Sequence, residues 1–339
     1  MGILMTGCTG VVGAPLRKIF ENNGLVVYYL IRDGRERHHN NDVKLSGIKP
    51  WQIIDGEITN TSCGVSPRDV SFLRGRKIKK VVHIAGSIKF DDTLRDEIMR
   101  TNVIGTKNML ELAELIGAKE FHFVSTAYAD TQRNAYEQSK YYAEMLVKNS
   151  GINFSIYRIG IVVGDSNNGE ITDYTGYYGF LEILHRLAVL QRKKCGLTVG
   201  TLVNIPIHIN YSFTSTLNLV PRDWLVNMMY KLMKMESKKG VFYVTHPNPM
   251  LVRKILKCAL EILNISGISC SETVIQRAAD KMLSQYLPYV TKEEVFPLDS
   301  TKKALGVDYM NPPEVTPEMH KILLDFAVGN NFGKKTRVS

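Results

Sequence analysis

Cysteine is sparse in this sequence: Cys8, Cys63, Cys195, Cys258 and Cys270 make five, with no C-x-x-C pair and no metal-type spacing with histidine. An odd number of scattered thiols argues against a disulfide framework and for free thiols in a reducing compartment. No uninterrupted apolar run is long enough to cross a bilayer. The chain opens directly in an apolar strand, without the charged and apolar leader of a secreted protein. The expectation is a soluble, cytoplasmic protein with no integral membrane segment. Internal repeats and low-complexity tracts are also missing, so the 339 residues read as one large domain or two intimately joined ones.

Acidic residues are outnumbered, 33 against 43 lysines and arginines, which gives a formal charge of +10. The basic residues fall in separate clusters: Arg32/Arg35/Arg37, Lys77/Lys79/Lys80, Arg192/Lys193/Lys194, Lys238/Lys239 and Lys334/Lys335/Arg337. Spread in this way they read as solvated faces and not as a nucleic-acid stripe. A phosphorylated cofactor, a coenzyme A thioester or an acidic carrier protein suits the balance better than DNA.

The first stretch that carries information is Ile3-Leu4-Met5-Thr6-Gly7-Cys8-Thr9-Gly10-Val11-Val12-Gly13. A short apolar strand runs into a glycine-rich turn, and Ala14 to Phe20 reads as a helix. Gly7 suits a tight turn, Gly10 a close backbone approach to pyrophosphate, and Gly13 close helix–strand packing. The spacing is G-x-x-G-x-x-G, and free N–H groups at the helix start would meet an anion.

Strand patterns follow at Leu25–Ile31, Trp51–Ile58, Lys80–Ser87, Glu120–Thr126 and Asn153–Gly164, with helical patterns at Thr101–Leu115 and Tyr136–Val147. Alternation of this kind predicts an α/β fold, a Rossmann-type doubly wound parallel sheet with right-handed crossovers. Arg32 leads a basic turn after the second strand, where arginine accommodates a 2′-phosphate and an acidic residue would hold ribose hydroxyls. This favours NADP(H) over NAD, with Asp33 keeping NAD open. His83, in an apolar run, reads as a core histidine.

Beyond Gly164 the texture changes. Asp165–Gly179 is polar and glycine-rich and reads as a flexible loop over a site, Phe180–Gln191 as an amphipathic helix, and Leu217–Met235 as an apolar stretch entering a helix. Gly240–Thr245 is one more strand, and the proline-punctuated remainder is helical. The expected division is a dinucleotide-binding domain over 1–165, with 215–247 returning to it, and a smaller, mostly helical substrate lobe from 166–214 and 248–339.

Tyr136 and Lys140 lie one helical turn apart and share a face. A neighbouring ammonium should lower the phenol's pKa and fit the pair for acid–base work at a carbonyl or alcohol. Lys140 can also hold ribose hydroxyls. Thr126, at the carboxyl end of the fifth strand, can donate a second hydrogen bond to the reacting oxygen.

Together, Thr6–Gly13, His83-Ile84-Ala85-Gly86, Asn102-Val103-Ile104-Gly105-Thr106, Ser125-Thr126-Ala127-Tyr128 and Tyr136-Glu137-Gln138-Ser139-Lys140 resemble an extended short-chain dehydrogenase/reductase. Three stretches, Ser125–Tyr128, Gly160–Ser166 with Gly169, and Leu217–Asp223, are most similar to the thioester reductase and male-sterility-type fatty acyl reductase branch. The likeness covers about residues 1–250. It implies Thr126, Tyr136 and Lys140 as catalytic triad, with Asn102 as the helix asparagine of the fold. It implies Gly7, Thr9, Gly10, Val11, Val12 and Gly13 as pyrophosphate loop and Arg32 at the 2′-phosphate. Glu57 and Ile58 fall at adenine, with Glu in place of the usual Asp, and Ala85, Gly86, Ser87, Ile159 and Ile161 complete the cofactor contacts. One departure is the short Thr126–Tyr136 connection, where relatives carry a longer excursion. Another is the lack of the hydrophobic tail that membrane-bound acyl reductases often carry.

The function these features imply is reduction by NADPH of an acyl thioester, on coenzyme A or a carrier protein, or of the derived aldehyde. Leu181, Ile183, Leu184 and Leu187 would then line an acyl channel. The alternatives are a nucleotide-sugar epimerase, dehydratase or ketoreductase of the same class, and a cofactor-binding protein without turnover.

Overall fold

The computed structural model describes residues 2–210, 212–235, 240–271, 286–290, 292 and 295–333, so the basic clusters at 238–239 and 334–337 lie outside the described residues. The chain divides into two compact units. The first holds Met1–Ile159, Val226–Val244 and Pro297–Met310, and the second holds Gly160–Leu225, Thr245–Phe296 and Asn311–Ser339.

The first unit is built on seven parallel strands: β1 (Gly2–Thr6), β2 (Val26–Ile31), β3 (Ile53–Asp55), β4 (Ile78–His83), β5 (Glu120–Thr126), β6 (Asn153–Ile159) and β7 (Gly240–Val244). Their order is β7-β6-β5-β4-β1-β2-β3. The reversal between β1 and β4 is the switch point at which such sheets open a crevice for ligands. Helices α1 (Gly13–Asn22), α2 (Gly34–His39), α3 (Pro67–Gly75), α4 (Arg95–Met99), α5 (Gly105–Leu115) and α6 (Ala135–Asn149) form the crossovers.

The strands are continuous apolar runs because helices cover them. Leu4, Tyr28, Val81, Phe121 and Ile156 form one core with Met109 and Leu112 of α5 and Ala143 and Val147 of α6. Between α4 and α5 the single helix expected over Thr101–Leu115 is interrupted by a π turn, Arg100–Ile104. Helix Asp299–Leu305 also belongs to this unit, because Thr301 Oγ1 donates to Tyr243 O of β7 at 2.6 Å and Ser300 Oγ to Val241 O at 3.0 Å.

The expected sixth strand ends early. After Ile159 the chain leaves the sheet, and Ile161–Val163 pairs in parallel with Leu219–Pro221 inside the second unit. Gly160 marks the departure, since a Cβ there would sit 2.6 Å from Asn218 Oδ1. This second unit contains helices Tyr177–Lys194, Val252–Leu263 and Pro317–Gly329, the last two packed on each other, and short two-stranded ladders that periodicity did not reveal. Among the described residues no helix is long and apolar enough to cross a membrane.

A buried charge cluster fastens α6 to the sheet. Arg158 on β6 donates from Nε to Glu144 Oε1 at 2.9 Å and from Nη2 to Glu144 Oε2 at 2.8 Å. Ser125 Oγ of β5 adds a bond to Glu144 Oε1 at 2.7 Å, and Lys148 Nζ reaches Oε2 at 3.0 Å. Arg158 also binds Asp130 and the Tyr243 hydroxyl of β7. Glu144 is 0% exposed, whereas the Asp130 side chain is 60% exposed. Removing one partner of a buried pair leaves an uncompensated charge, while an exposed partner contributes little. Arg158→Ala should therefore lower unfolding stability by about 3–5 kcal/mol and Asp130→Asn by less than about 1 kcal/mol, as read from urea melts.

Candidate active site

Thr6 closes β1 and organises the crevice below it. Its Oγ1 bonds to His83 Nδ1 at 2.8 Å and accepts from the backbone N–H groups of Ile84 and Ala85, both at 3.1 Å. His83 is fully buried and stacks on Phe123, and burial pushes its pKa down to about 3, so it stays neutral as a core residue. Gly7 follows in the left-handed region (φ +72°), where a Cβ would meet Ala85 N at 2.7 Å. At Gly13 a Cβ would lie 2.0 Å from Gly7 O, so α1 can start this close to β1 only with glycine. Gly10 is exposed, Thr9 and Val11 are partly exposed, and Val12 is buried. Helix α1 begins with no side-chain cap and no acidic side chain in its first turn. Such a start keeps its positive end available to an anion, and the donor set fits a dinucleotide pyrophosphate.

The three arginines after β2 separate sharply. Arg35 donates to Asp69 Oδ1 at 2.8 Å and pairs with Asp55 at 3.2 Å, and Arg37 grips Asp42 through Nε and Nη2 at 2.8 and 2.6 Å. Arg32 is 75% exposed and touches Glu57 Oε2 at 3.3 Å. Asp33 is exposed in a left-handed conformation. Glu57 thus lies beside Arg32, but Ile58 is 8% exposed, packs in the core, and has its carbonyl held by Asn108 Nδ2 at 2.7 Å. Its side chain is therefore not presented to an adenine: the turn after β3 points it beneath α5, where a Cβ on Gly105 would press on it at 3.0 Å.

Thr126 ends β5, and its hydroxyl lies near enough to the phenol of Tyr136 on α6 to favour the phenolate. The Tyr136 ring packs edge-on against Phe90 at 5.3 Å and remains partly exposed. Lys140 is 5% exposed; its Nζ donates to Val124 O at 2.9 Å and sits 4.9 Å from the Phe123 ring centroid. The electrostatics differ from the expected pattern. Burial raises the Tyr136 pKa, helped by the Glu137 carboxylate, and the Thr126 hydrogen bond offsets this only in part. The anticipated lowering by Lys140 is not found; the ammonium's charge acts on His83 instead. Burial pushes Lys140 itself down to about 8, against the opposing pull of Glu144.

Asn102, in the π turn, is 2% exposed and acts as a strut. Its Oδ1 accepts from Ser87 N at 2.7 Å, and its Nδ2 donates to Ser87 O at 3.0 Å and Ser139 Oγ at 2.8 Å. A π turn of this sort is a frequent local feature of functional sites. A Cβ on Gly86 would lie 2.8 Å from Asn102 Oδ1 and 3.4 Å from Lys140 Nζ, so Gly86, Asn102 and Lys140 meet in one place. Ala85 is partly exposed beside them. Ile159 is partly exposed and its carbonyl accepts from Ala127 N at 2.8 Å, whereas Ile161 belongs to the second unit.

Glu137 escaped the sequence reading. Fully buried, it accepts from Thr131 Oγ1 at 2.7 Å and Arg133 N at 2.8 Å and pairs with the Arg133 guanidinium at 2.9 Å. Asn134 caps α6 by accepting from Glu137 N at 2.9 Å. These bonds tie down the short connection before Tyr136. A buried carboxylate next to the candidate tyrosine was the available signal.

In the second unit the start of the expected flexible loop is a bonded turn. Gly169 N donates to Asp165 O at 2.8 Å and Asp165 N to Glu170 O at 3.1 Å, while Ser166 binds Asp223 through N and Oγ at 3.0 and 2.7 Å. Helix Tyr177–Lys194 begins earlier than expected, and Leu181 and Leu184 are fully buried in packing.

A family model of NAD-binding domains, described as male sterility protein, matches residues 5–135 and 129–229. "Probable polysaccharide biosynthesis protein EpsC" of Bacillus subtilis (strain 168) is 29% identical over 91% of this chain and 48% of its own length. Fatty acyl-CoA reductase 1 of Xenopus laevis is 30% identical over 41% of this chain and 30% of its own length. The chain thus spans about half or less of these curated relatives. The crystal structure of the terminal R domain from the myxalamid PKS-NRPS biosynthetic pathway shares the fold, with a TM-score of 0.74 at 20% identity, over 98% of this chain and 91% of that one. With the glycine loop at the switch point of a seven-stranded parallel sheet, these matches identify the chain as a nicotinamide-cofactor protein of the extended short-chain dehydrogenase/reductase class, belonging to the male sterility protein family.

Proposed function

We propose that the chain is an NADPH-dependent reductase acting on the carbonyl of an acyl thioester or of the aldehyde derived from it, with Tyr136 as proton donor. The observation that carries this reading is the approach of the Thr126 hydroxyl to the Tyr136 phenol at the carboxyl end of β5, with the Lys140 ammonium one turn along α6 and next to Gly86 and Asn102. The names of two relatives, a fatty acyl-CoA reductase and a pathway-terminal R domain, support the thioester class of substrate.

When bound, the reduced nicotinamide supplies the hydride. The chain's own residues then handle the oxygen. Charge grows on the carbonyl oxygen as its carbon is reduced, and the Thr126 and Tyr136 hydroxyls can donate hydrogen bonds to it. The phenol is protonated at neutral pH, and an alkoxide forming on the reduced carbon is the stronger base, so the proton can pass from Tyr136 to that oxygen, which is the acid role in reduction. Gly7, Thr9, Gly10, Val11, Val12 and Gly13 would hold the pyrophosphate; Gly86, Ser87 and Lys140 face the ribose, with Asn102 bracing Ser87. Arg32 is the most exposed arginine of its cluster and has one carboxylate contact, at 3.3 Å, whereas Arg35 and Arg37 are held by Asp55, Asp69 and Asp42, which favours NADPH over NADH.

Tyr136→Phe should reduce kcat/KM for a long-chain acyl thioester about 100- to 10,000-fold, with NADPH affinity little changed, in an assay following NADPH absorbance. Arg32→Ala should weaken NADPH about tenfold, the scale of a hydrogen bond to a charged group, and leave NADH affinity unchanged by fluorescence titration. Lys140 is charged below its pKa of about 8. NADPH affinity should accordingly hold steady on the acid side and weaken as pH rises through about 8, and Lys140→Arg should flatten that profile.

A further inference from the structure

Between Glu182 and Asp223 the sequence has no carboxylate, yet it contains Arg186, Arg192, Lys193, Lys194 and Arg222. Helix Tyr177–Lys194 ends inside this tract, and the chain turns through 195–202 before the short strand Val203–Asn204. Aliphatic side chains at the helix end and on that turn face water: Leu190 of the helix is 63% exposed, and on the turn Leu197 is 42%, Val199 99% and Leu202 62% exposed. Lys193 and Lys194 are exposed between them.

The turn is held in place by its own bonds. Arg192, 7% exposed, donates from Nε to Thr201 O at 2.7 Å and from Nη2 to Leu263 O at 2.6 Å. Leu197 N returns to Arg192 O at 2.9 Å, and the Thr198 and Thr201 hydroxyls are 3.0 Å apart. A single exposed aliphatic needs no explanation. Three of them on one anchored turn and a fourth at the end of the helix before it, beside lysines in a carboxylate-free tract, mark an interaction surface.

We propose that this turn docks on an anionic membrane surface, with Leu190, Leu197, Val199 and Leu202 entering the headgroup–acyl boundary and Lys193 and Lys194 facing lipid phosphates. A protein partner fits less well. Protein interfaces draw their affinity from aromatic and arginine anchors seated in pockets. The segment 189–202 has no aromatic residue, and its one arginine is spent inside the fold. The inference does not depend on the proposed reaction, because none of these residues belongs to the candidate active site.

Flotation of the purified chain with phosphatidylcholine vesicles, with and without phosphatidylserine, tests it. The chain should float with phosphatidylserine-containing vesicles, stay behind with pure phosphatidylcholine, and be released by high salt. Replacing Leu197, Val199 and Leu202 together by Ser should abolish flotation. Lys193→Gln with Lys194→Gln should weaken it about thirtyfold, two charges at roughly 1 kcal/mol each. Thermal melts establish that each variant is folded, and the lysine pair decides alone if the aliphatic variant is not. Failure to float on anionic vesicles, or flotation unchanged in the folded variants, overturns the proposal. Capture of an acidic acyl carrier protein by a chain that ignores vesicles overturns it too, and reassigns the turn to a protein partner.

Discussion

The candidate active site hangs on the pairing of Arg158 with Glu144. Glu144 lies one turn beyond Lys140 on α6, and Arg158 comes from the carboxyl end of β6. Their two-point contact, completed by Ser125 from β5, fixes the rotation of α6 against the strands whose ends carry Thr126 and Ile159. Two charges removed from water gain little over a well-packed apolar pair in net stability, but their geometry is demanding. A helix rotated by a fraction of a turn would lose both bonds. The phenol and the ammonium on the preceding turn inherit that precision.

From there the site is assembled by polar struts more than by apolar packing. Thr6 holds the β4 exit, Asn102 holds Ser87 and Ser139, and Glu137 holds the connection into α6. Each strut is a buried side chain bonded to several partners, main chain for Thr6 and Asn102 and chiefly Thr131 and Arg133 side chains for Glu137, which makes its position costly to change. The contrast with Lys140 is informative. Its environment disfavours charge, and its proton is lost at a lower pH than that of an exposed lysine.

Much of this was legible in the chain. Glu120–Thr126 has the boundaries its pattern announces, and the glycine turn sits where β1 ends, because period and turn chemistry are local properties. The end of β6 was not legible: Ile159-Gly160-Ile161 is one apolar run, and only the approach of Asn218 shows where the chain turns away. Nor could local pattern separate Arg32 from Arg35, since the Asp55 and Asp69 that occupy Arg35 are distant in sequence. The tyrosine's electrostatics failed for a related reason. A helical interval of four residues puts two side chains on one face, yet burial and a strand carbonyl decided what each of them felt. Arg158 and Glu144 left a trace that deserved weight, a charged residue within Ile156-Tyr157-Arg158-Ile159 and another in the apolar face of α6.

The resting position of Lys140 has a consequence for selectivity. One of the three donors of its ammonium is held by the Val124 carbonyl at 2.9 Å. That bond pins the head group while two donors remain for acceptors that enter the crevice. A lone hydroxyl can take one of them and a vicinal diol both, so the diol makes the larger contact without breaking the bond to Val124.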